Sequence, residues 1–118
     1  MTDKSICPTC KRAYKRSNPQ NNISHAWYLQ LAEQLPEDDA LGWKCFCKLH
    51  FGIPILRAED AEFKVIYDKT LRHLEYSQKL QVMKVLPVTS LMTADQLSKY
   101  LDAMQSEFLG RGVRLEFP

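Results

Sequence analysis

The chain has 118 residues, a net charge of only +2 and the composition of an ordinary globular protein. Its length allows one domain with one hydrophobic core. No apolar run reaches 18 residues and none lies near the start of the chain, which argues against a membrane span and a signal peptide. We therefore expect a cytoplasmic protein.

Positive charge is concentrated near the start of the chain. Lys11, Arg12, Lys15 and Arg16 place four cations within six residues, with Tyr14 among them. Cations neutralise a phosphate chain, and an aromatic ring stacks on unpaired bases. The first sixteen residues are thus predicted to form a basic arm that binds nucleic acid. A solvated arm without a ligand is the alternative interpretation of the same charges.

A first helix is predicted to begin near Asn18, because Pro19 suits a first turn, where its missing N–H costs nothing. Pro36 ends it. Its apolar residues recur at a spacing of four and should face the core. These residues are Ile23, Trp27, Leu31 and Leu35.

A second helix is predicted from Ala40 to Phe51, capped by Asp38 or Asp39 and ended by Gly52. After it, residues 53–56 are expected to be extended. A third helix should begin around residues 58–60, and a shorter one should run from Tyr76 to Met83. The residues of the third helix predicted to face inward are Phe63, Ile66, Tyr67 and Leu71.

The last third of the chain combines two predicted strands with one helix. Residues 88–92 are rich in β-branched side chains, and residues 113–117 alternate apolar and polar side chains. Between them, Thr93 and Gln96 form a capping box that starts a helix, and Gly110 is predicted to end it. The face of that helix predicted to be buried comprises Leu97, Tyr100, Leu101, Met104 and Phe108.

Residues 17–118 are therefore predicted to form one α+β domain, mainly helical, with two or three short strands. Its first helix offers further groups to a phosphate chain. Asn18, Gln20 and Asn21 supply amide side chains beside the free N–H groups of the helix start. Lys44 and Lys48, four residues apart on the second helix, extend the positive surface.

Cys7 and Cys10 have the C-x-x-C spacing of a zinc knuckle. A structural zinc site needs four ligands, and the best complement on the second helix is Cys47 with His50. His25 is another candidate ligand. The alternatives are that Cys45 and Cys47 are small core residues and that the first two thiols are exposed. The sequence leaves zinc binding open.

Acidic pairs are the main candidates for catalysis, since paired carboxylates bind magnesium. Each of these acids lies at a predicted helix start, where capping explains it. No Ser/His/Asp set or Gly-rich phosphate loop is present. A small nuclease is the third interpretation, and we expect no enzymatic activity. The acids are Asp38, Asp39, Glu59, Asp60 and Glu62.

Several short motifs resemble the phage lambda NinB, or Orf, family of recombination proteins and related prophage sequences. Their specificity lies in their order and spacing over residues 16–117. The motifs that carry the resemblance are residues 16–21 (RSNPQN), 42–44 (GWK), 47–60, 91–93 (LMT) and 111–113 (RGV).

This resemblance implies an α+β fold, a dimer and a non-enzymatic recombination mediator. Such a protein binds single-stranded or gapped DNA and helps to load a recombinase where host single-strand-binding protein sits. The positions carried over are Arg16, Gln20, Asn21 and Lys44. The C-x-x-C segment replaces the family's first strand. A zinc-stabilised adaptor for host replication or recombination proteins is the alternative function.

Overall fold

The computed structural model describes residues 18–117, with side chains from residue 22 onward. No residue in this range forms a β-strand, so the prediction of an α+β fold with short strands is wrong, and the fold is a small helical domain. Its elements are α1 (Asn18–Gln34), α2 (Ala40–Cys47), a π-helical turn (Lys48–Gly52), α3 (Ile53–Glu59), α4 (Ala61–Thr70), α5 (Tyr76–Met83), a 3-10 turn (Thr89–Leu91) and α6 (Ala94–Gly110).

The core is built around α6, which packs on α1, on α3 and on the π-helical turn. Thr93 and Gln96 form the predicted capping box at its start. The five α6 side chains predicted to face inward are all buried. Tyr28 of α1 and Tyr100 of α6 share a buried hydrogen bond of 2.7 Å between their hydroxyls, which satisfies both groups inside the core.

The first two helices begin where the sequence predicts. Trp27 and Leu31 are buried on the core face of α1. Asp39 caps α2, since its carboxylate accepts a hydrogen bond of 2.8 Å from the N–H of Gly42. Local side-chain chemistry therefore sets the start of α2.

The second helix does not end at Gly52, and residues 53–56 are helical rather than extended. The chain runs from α2 through the π-helical turn directly into α3. Pro54 has no N–H for a regular helical ladder, and the wider π-helical turn just before it takes up that interruption. Gly52 serves packing instead, because a Cβ there would lie 2.6 Å from Cγ1 of Val88.

The helices predicted in the middle of the chain are confirmed as α4 and α5. Asp60 caps α4, and its carboxylate accepts a hydrogen bond of 3.0 Å from the N–H of Phe63. Tyr67 is buried as predicted, whereas Ile66 is 58% exposed and does not face the core. The set of residues predicted to face inward on this helix therefore includes one, Ile66, that faces solvent.

The strand predicted over residues 88–92 is a 3-10 turn. Val88 and Met92 are both buried, with the turn between them. Two buried residues four positions apart fit one helical turn as well as a strand end, so their β-branched neighbours misled the prediction.

The last residue of α6 is Gly110, but the C′ position after the helix, predicted for Gly110, is occupied by Gly112. Gly112 has φ +83°, the left-handed conformation that glycine adopts most readily. Its N–H donates to the carbonyl of Leu109, and the N–H of Val113 donates to the carbonyl of Phe108 at 2.8 Å. This pattern is a Schellman motif, in which both last carbonyls are satisfied.

Residues 113–117 follow α6 as an extended segment with the predicted alternation, since Val113 and Leu115 are buried. No neighbouring strand pairs with it in the described part of the chain. Two glutamine side chains of α1 bond to its backbone instead. Gln34 bonds to the backbone N–H and C=O of Arg114, and Gln30 bonds to those of Glu116.

Spacing explains this match between a helix and an extended chain. Four residues of helix rise about 6 Å, and two residues of extended chain rise about 6.7 Å. The amides of Gln30 and Gln34 therefore meet alternate residues of the segment as a strand would.

Candidate nucleic-acid interface

A cleft of 440 Å³, here called the lysine cleft, opens between the first turns of α1, the α2 region and the chain that follows α5. Three lysines and a histidine line it, and none of the lining residues is acidic. Hydroxyls, an amide and a short apolar wall complete it. The lining residues are Asn22, His25, Lys44, Lys48, Lys84, Val85, Leu86, Pro87, Thr89 and Ser90.

Lys48 lies deepest among these side chains and is only 3% exposed. Its ammonium group donates a hydrogen bond of 2.5 Å to the carbonyl of Met83, the last residue of α5. A cation at a helix C-terminus is favourable because the last carbonyls carry partial negative charge. Burial lowers the pKa of Lys48, and the positive charge of Lys44 lowers it further.

Lys44 and Lys84 approach the same cleft from α2 and from the end of α5. Among the described residues, neither lysine forms an ion pair with a carboxylate. Like charges this close repel one another unless an anion neutralises them. The cleft is therefore electropositive, and within the described residues the charges of Lys44 and Lys84 have no carboxylate partner.

His25 adds a titratable group at the α1 side of the cleft. Burial lowers its pKa below the ordinary 6.5, and Lys44 lowers it further. His25 is thus mainly neutral at pH 7 and can gain a proton when a phosphate approaches. Its ring packs edge-on against Tyr28, with 5.9 Å between ring centroids.

The structure brings together two of the predicted DNA-binding side chains, Lys44 and Lys48. The backbone of Asn18, Gln20 and Asn21 forms the start of α1, next to the α1 residues that line the cleft. The remaining predicted site residues lie outside the described part of the chain. These are Cys7, Cys10, Lys11, Arg12, Tyr14, Lys15 and Arg16.

Sequence reasoning missed Lys84 and the hydroxyls of Thr89 and Ser90. They reach the cleft because α5 packs on α2. No local sequence motif predicts this packing of the two helices. His25 was considered only as a metal ligand. The spacing of Lys44 and Lys48 was the one available signal.

The described residues do not assemble a metal site. No group of three or more His, Cys, Asp or Glu side chains within residues 18–117 could hold a metal ion. Cys45 and Cys47 are buried free thiols, and burial raises the pKa of both. His50 instead shares a hydrogen bond of 2.9 Å with the Tyr76 hydroxyl. Cys45 and Cys47 both belong to the hydrophobic core, as the core interpretation of these two cysteines predicted.

The acids considered for catalysis have structural roles. Asp39 and Asp60 cap α2 and α4. Glu59 ends α3, contrary to its predicted position at a helix start, and forms an ion pair of 2.5 Å with Lys99. That ammonium group, together with the Gln96 amide, lowers the pKa of Glu59. These contacts give Asp39, Asp60 and Glu59 structural roles in the helical domain.

No helix within residues 18–117 is long and apolar enough to cross a membrane. Comparison of the chain with protein-family models, with curated proteins and with solved structures gives no match.

Proposed function

We propose that this protein binds single-stranded or gapped DNA as an accessory protein of phage or prophage recombination. In this role it helps to load a recombinase where host single-strand-binding protein covers the DNA. The observation that carries the proposal is the lysine cleft, where three lysines converge without an acidic lining residue. The helical fold differs from the α+β fold that the resemblance implies. The proposed DNA binding therefore rests on the charges of the cleft, and the proposed role in recombination rests on the sequence motifs.

The cleft suits a phosphate chain in its composition. Lysine ammonium groups neutralise phosphates, and the Thr89 and Ser90 hydroxyls can donate hydrogen bonds to phosphate oxygens. The basic arm precedes α1 in the sequence, and α1 contributes two residues to the cleft. We propose that arm and cleft bind successive phosphates of one strand.

A preference for single strands is supported by the apolar wall beside the lysines. Val85 is 82% exposed and adjoins Leu86 and Pro87 along the cleft. An unpaired base has an exposed face that can contact such a surface, whereas a base inside a duplex does not. A duplex, which would bind the cleft through its phosphates, would not contact this apolar wall with its bases.

The first test is fluorescence anisotropy with a labelled single-stranded oligonucleotide, at low and at physiological salt. We expect binding that weakens steeply with salt, because each neutralised phosphate contributes about −0.7 to the slope of log K against log salt. A duplex of the same sequence should bind more weakly. Absence of binding at low salt, or binding that does not change with salt, would overturn the proposal.

The arm is tested by replacing Lys11, Arg12, Lys15 and Arg16 together with alanine. We expect single-strand binding to be lost while the circular dichroism spectrum and melting temperature stay those of the wild type. Retained affinity in this folded variant would assign binding to the lysine cleft alone.

The mediator role requires a separate measurement. Recombinase loading on an oligonucleotide coated with single-strand-binding protein should be faster when the protein is added. If DNA binding is seen without faster loading, the protein is a DNA-binding module with another task.

A further inference from the structure

The positive charges of the lysine cleft converge from different elements of the fold. Lys44 lies on α2 and is half-buried, and Lys84 follows α5 and is exposed. Burial raises the pKa of the Cys45 thiol, and both of these lysines, with Lys48, act against that rise. All three ammonium groups are therefore close enough to act on the same thiol. The cleft concentrates positive charge in one place instead of spreading it along a surface.

The cleft has the size of a pocket for one small ligand. Its volume of 440 Å³ falls within the range of about 300–1,000 Å³ that is typical of such pockets. Three parts of the chain surround it, namely the first turns of α1, the α2 region and residues 84–90. A cavity of this size accommodates one nucleotide rather than a run of several. The charges of Lys44 and Lys84 are then neutralised by a single nucleotide.

The charge of the cleft matches the end of a DNA strand better than its interior. An internal phosphate carries one negative charge, which leaves one of these two lysines without an anion. A terminal phosphate carries about −1.5 to −2 charges at pH 7 and has three oxygens that accept hydrogen bonds. The hydroxyls of Thr89 and Ser90 and the amide of Asn22 also line the cleft and can donate to those oxygens.

The apolar wall of the cleft also favours a terminal nucleotide. Val85 is 82% exposed and adjoins Leu86 and Pro87. Inside a single strand a base stacks on a neighbour at each side, whereas the last base has one face without a neighbour. That face gains from contact with an apolar surface because the contact removes it from water.

We propose that the lysine cleft binds the terminal phosphate of a DNA strand, with Lys44 and Lys84 at its oxygens and the last base against Val85. This inference rests on the proposed function and specifies which part of the strand enters the cleft. The basic arm then binds the internal phosphates that follow. A gap begins and ends at a strand terminus, so recognition of a terminus places the protein at the border of the gap.

The test is fluorescence anisotropy with one single-stranded sequence, labelled at an internal base so that both ends stay free. Versions with a 5′-phosphate, with a 3′-phosphate and with hydroxyls at both ends are compared. We expect one phosphorylated end to bind roughly tenfold more tightly than the hydroxyl form, because hydrogen bonds between charged groups are the stronger ones. A hydroxyl-ended strand about two nucleotides longer adds similar charge without a terminal phosphate, and its gain should be much smaller.

The outcomes separate this inference from the proposed function. Equal binding of all forms overturns the inference and leaves single-strand binding in place, whereas no binding of any form overturns both. Thymidine monophosphate, phosphorylated at the preferred position, is the competitor that identifies the source of the phosphate. We expect it to compete only near about 1 mM, because it offers no internal phosphates to the arm. Competition as strong as that of the phosphorylated strand would make a free nucleotide the ligand and overturn the inference.

Lys84→Ala tests the cleft itself through the ratio of the two affinities. The preference for the phosphorylated end should fall from roughly tenfold to roughly twofold or less, because one cation is lost beside the terminal phosphate. Lys79→Ala removes a lysine of α5 that does not line the cleft and should keep the full preference. Circular dichroism checks that both variants are folded. A preference that survives Lys84→Ala, or that is lost equally in both variants, overturns the inference.

Discussion

Two groups of basic side chains in this protein have opposite electrostatic surroundings. Beside α4, Arg57 donates two hydrogen bonds to the carboxylate of Asp68, at 2.9 and 3.0 Å. Lys64 lies 3.1 Å from the same carboxylate and Arg72 lies 3.8 Å from it. The Arg57 hydrogen bonds, with Lys64 in support, lower the pKa of Asp68 to about 2.

The lysine cleft contains a similar number of cations and no acidic lining residue. Its deepest member, Lys48, has a backbone carbonyl as its partner. Basic side chains thus bind a carboxylate and stabilise the fold in one region, whereas Lys44 and Lys84 in the other have no carboxylate partner among the described residues. Net charge, which is nearly balanced, does not reveal this difference, whereas the distribution of carboxylates does.

Removing two lysines from the cleft and two from α4 tests this difference most strongly. Lys44→Ala with Lys84→Ala should weaken single-strand binding by roughly tenfold or more and reduce the salt slope by about 1.4, if each lysine neutralises one phosphate. Lys64→Ala with Lys69→Ala removes the same charge from α4 and should have a much smaller effect. Anisotropy titrations of both double variants provide the measurement. Equal losses would mean that only total charge matters.

Asp68→Asn should produce the opposite pattern, with lower stability and no loss of DNA binding. The folded-state pKa of Asp68 is depressed, so its stabilising effect is present above pH 3.8 and is lost as the pH falls toward about 2. Thermal melts should show a lower melting temperature for the variant at neutral pH, by several degrees. The difference should shrink through that acidic window, and a constant difference would exclude the carboxylate charge as its cause.

Lys48→Met tests whether the buried ammonium group serves the ligand or the fold. Because burial lowers the pKa of Lys48, the charge costs stability at neutral pH, and this cost disappears as the pH rises toward 10.5. Loss of the bond to Met83 acts in the other direction. We expect a net change within about 1 kcal/mol and weaker DNA binding. Destabilisation by more than about 2 kcal/mol would make Lys48 chiefly a cap of α5.

His25→Asn should have the smallest effect, visible only in the pH dependence of binding. The depressed pKa of His25 means that it gains a proton below pH 6.5, and a bound phosphate favours that proton. Wild-type affinity for single strands should rise modestly as the pH falls from neutrality through this range. His25→Asn should reduce the rise, whereas His73→Asn, at an exposed position after α4, should not.

The parts of the fold predicted from the sequence are those governed by neighbours in the chain. Asp39, Asp60 and the Thr93–Gln96 box act within one helical turn, so their residue types suffice. The strand at residues 88–92 was wrong because burial at a spacing of four does not distinguish a turn from a strand. Residues 113–117 alternate as a strand does, but sequence does not show whether a partner strand exists.

The residues of the candidate site also fall into those that local sequence predicts and those that only tertiary packing brings in. Lys44 and Lys48 were identified because both lie in one helical stretch. Lys84 joins them only through the packing of α5 on α2, which no local pattern encodes. Gly52 was assigned to a helix end although its role is a close contact with Val88, a residue 36 positions later in the sequence.

The amide contacts between α1 and the extended segment have a consequence for the order of events during synthesis. The amides of Gln30 and Gln34 join residues 86 and 80 positions apart, and the indole N–H of Trp27 donates to the carbonyl of Glu116, 89 positions later. When α1 leaves the ribosome, the chain that completes its environment has not yet been translated. The indole N–H of Trp27 therefore has no backbone acceptor until Glu116 has been translated, and closure of this long loop is a late step in folding.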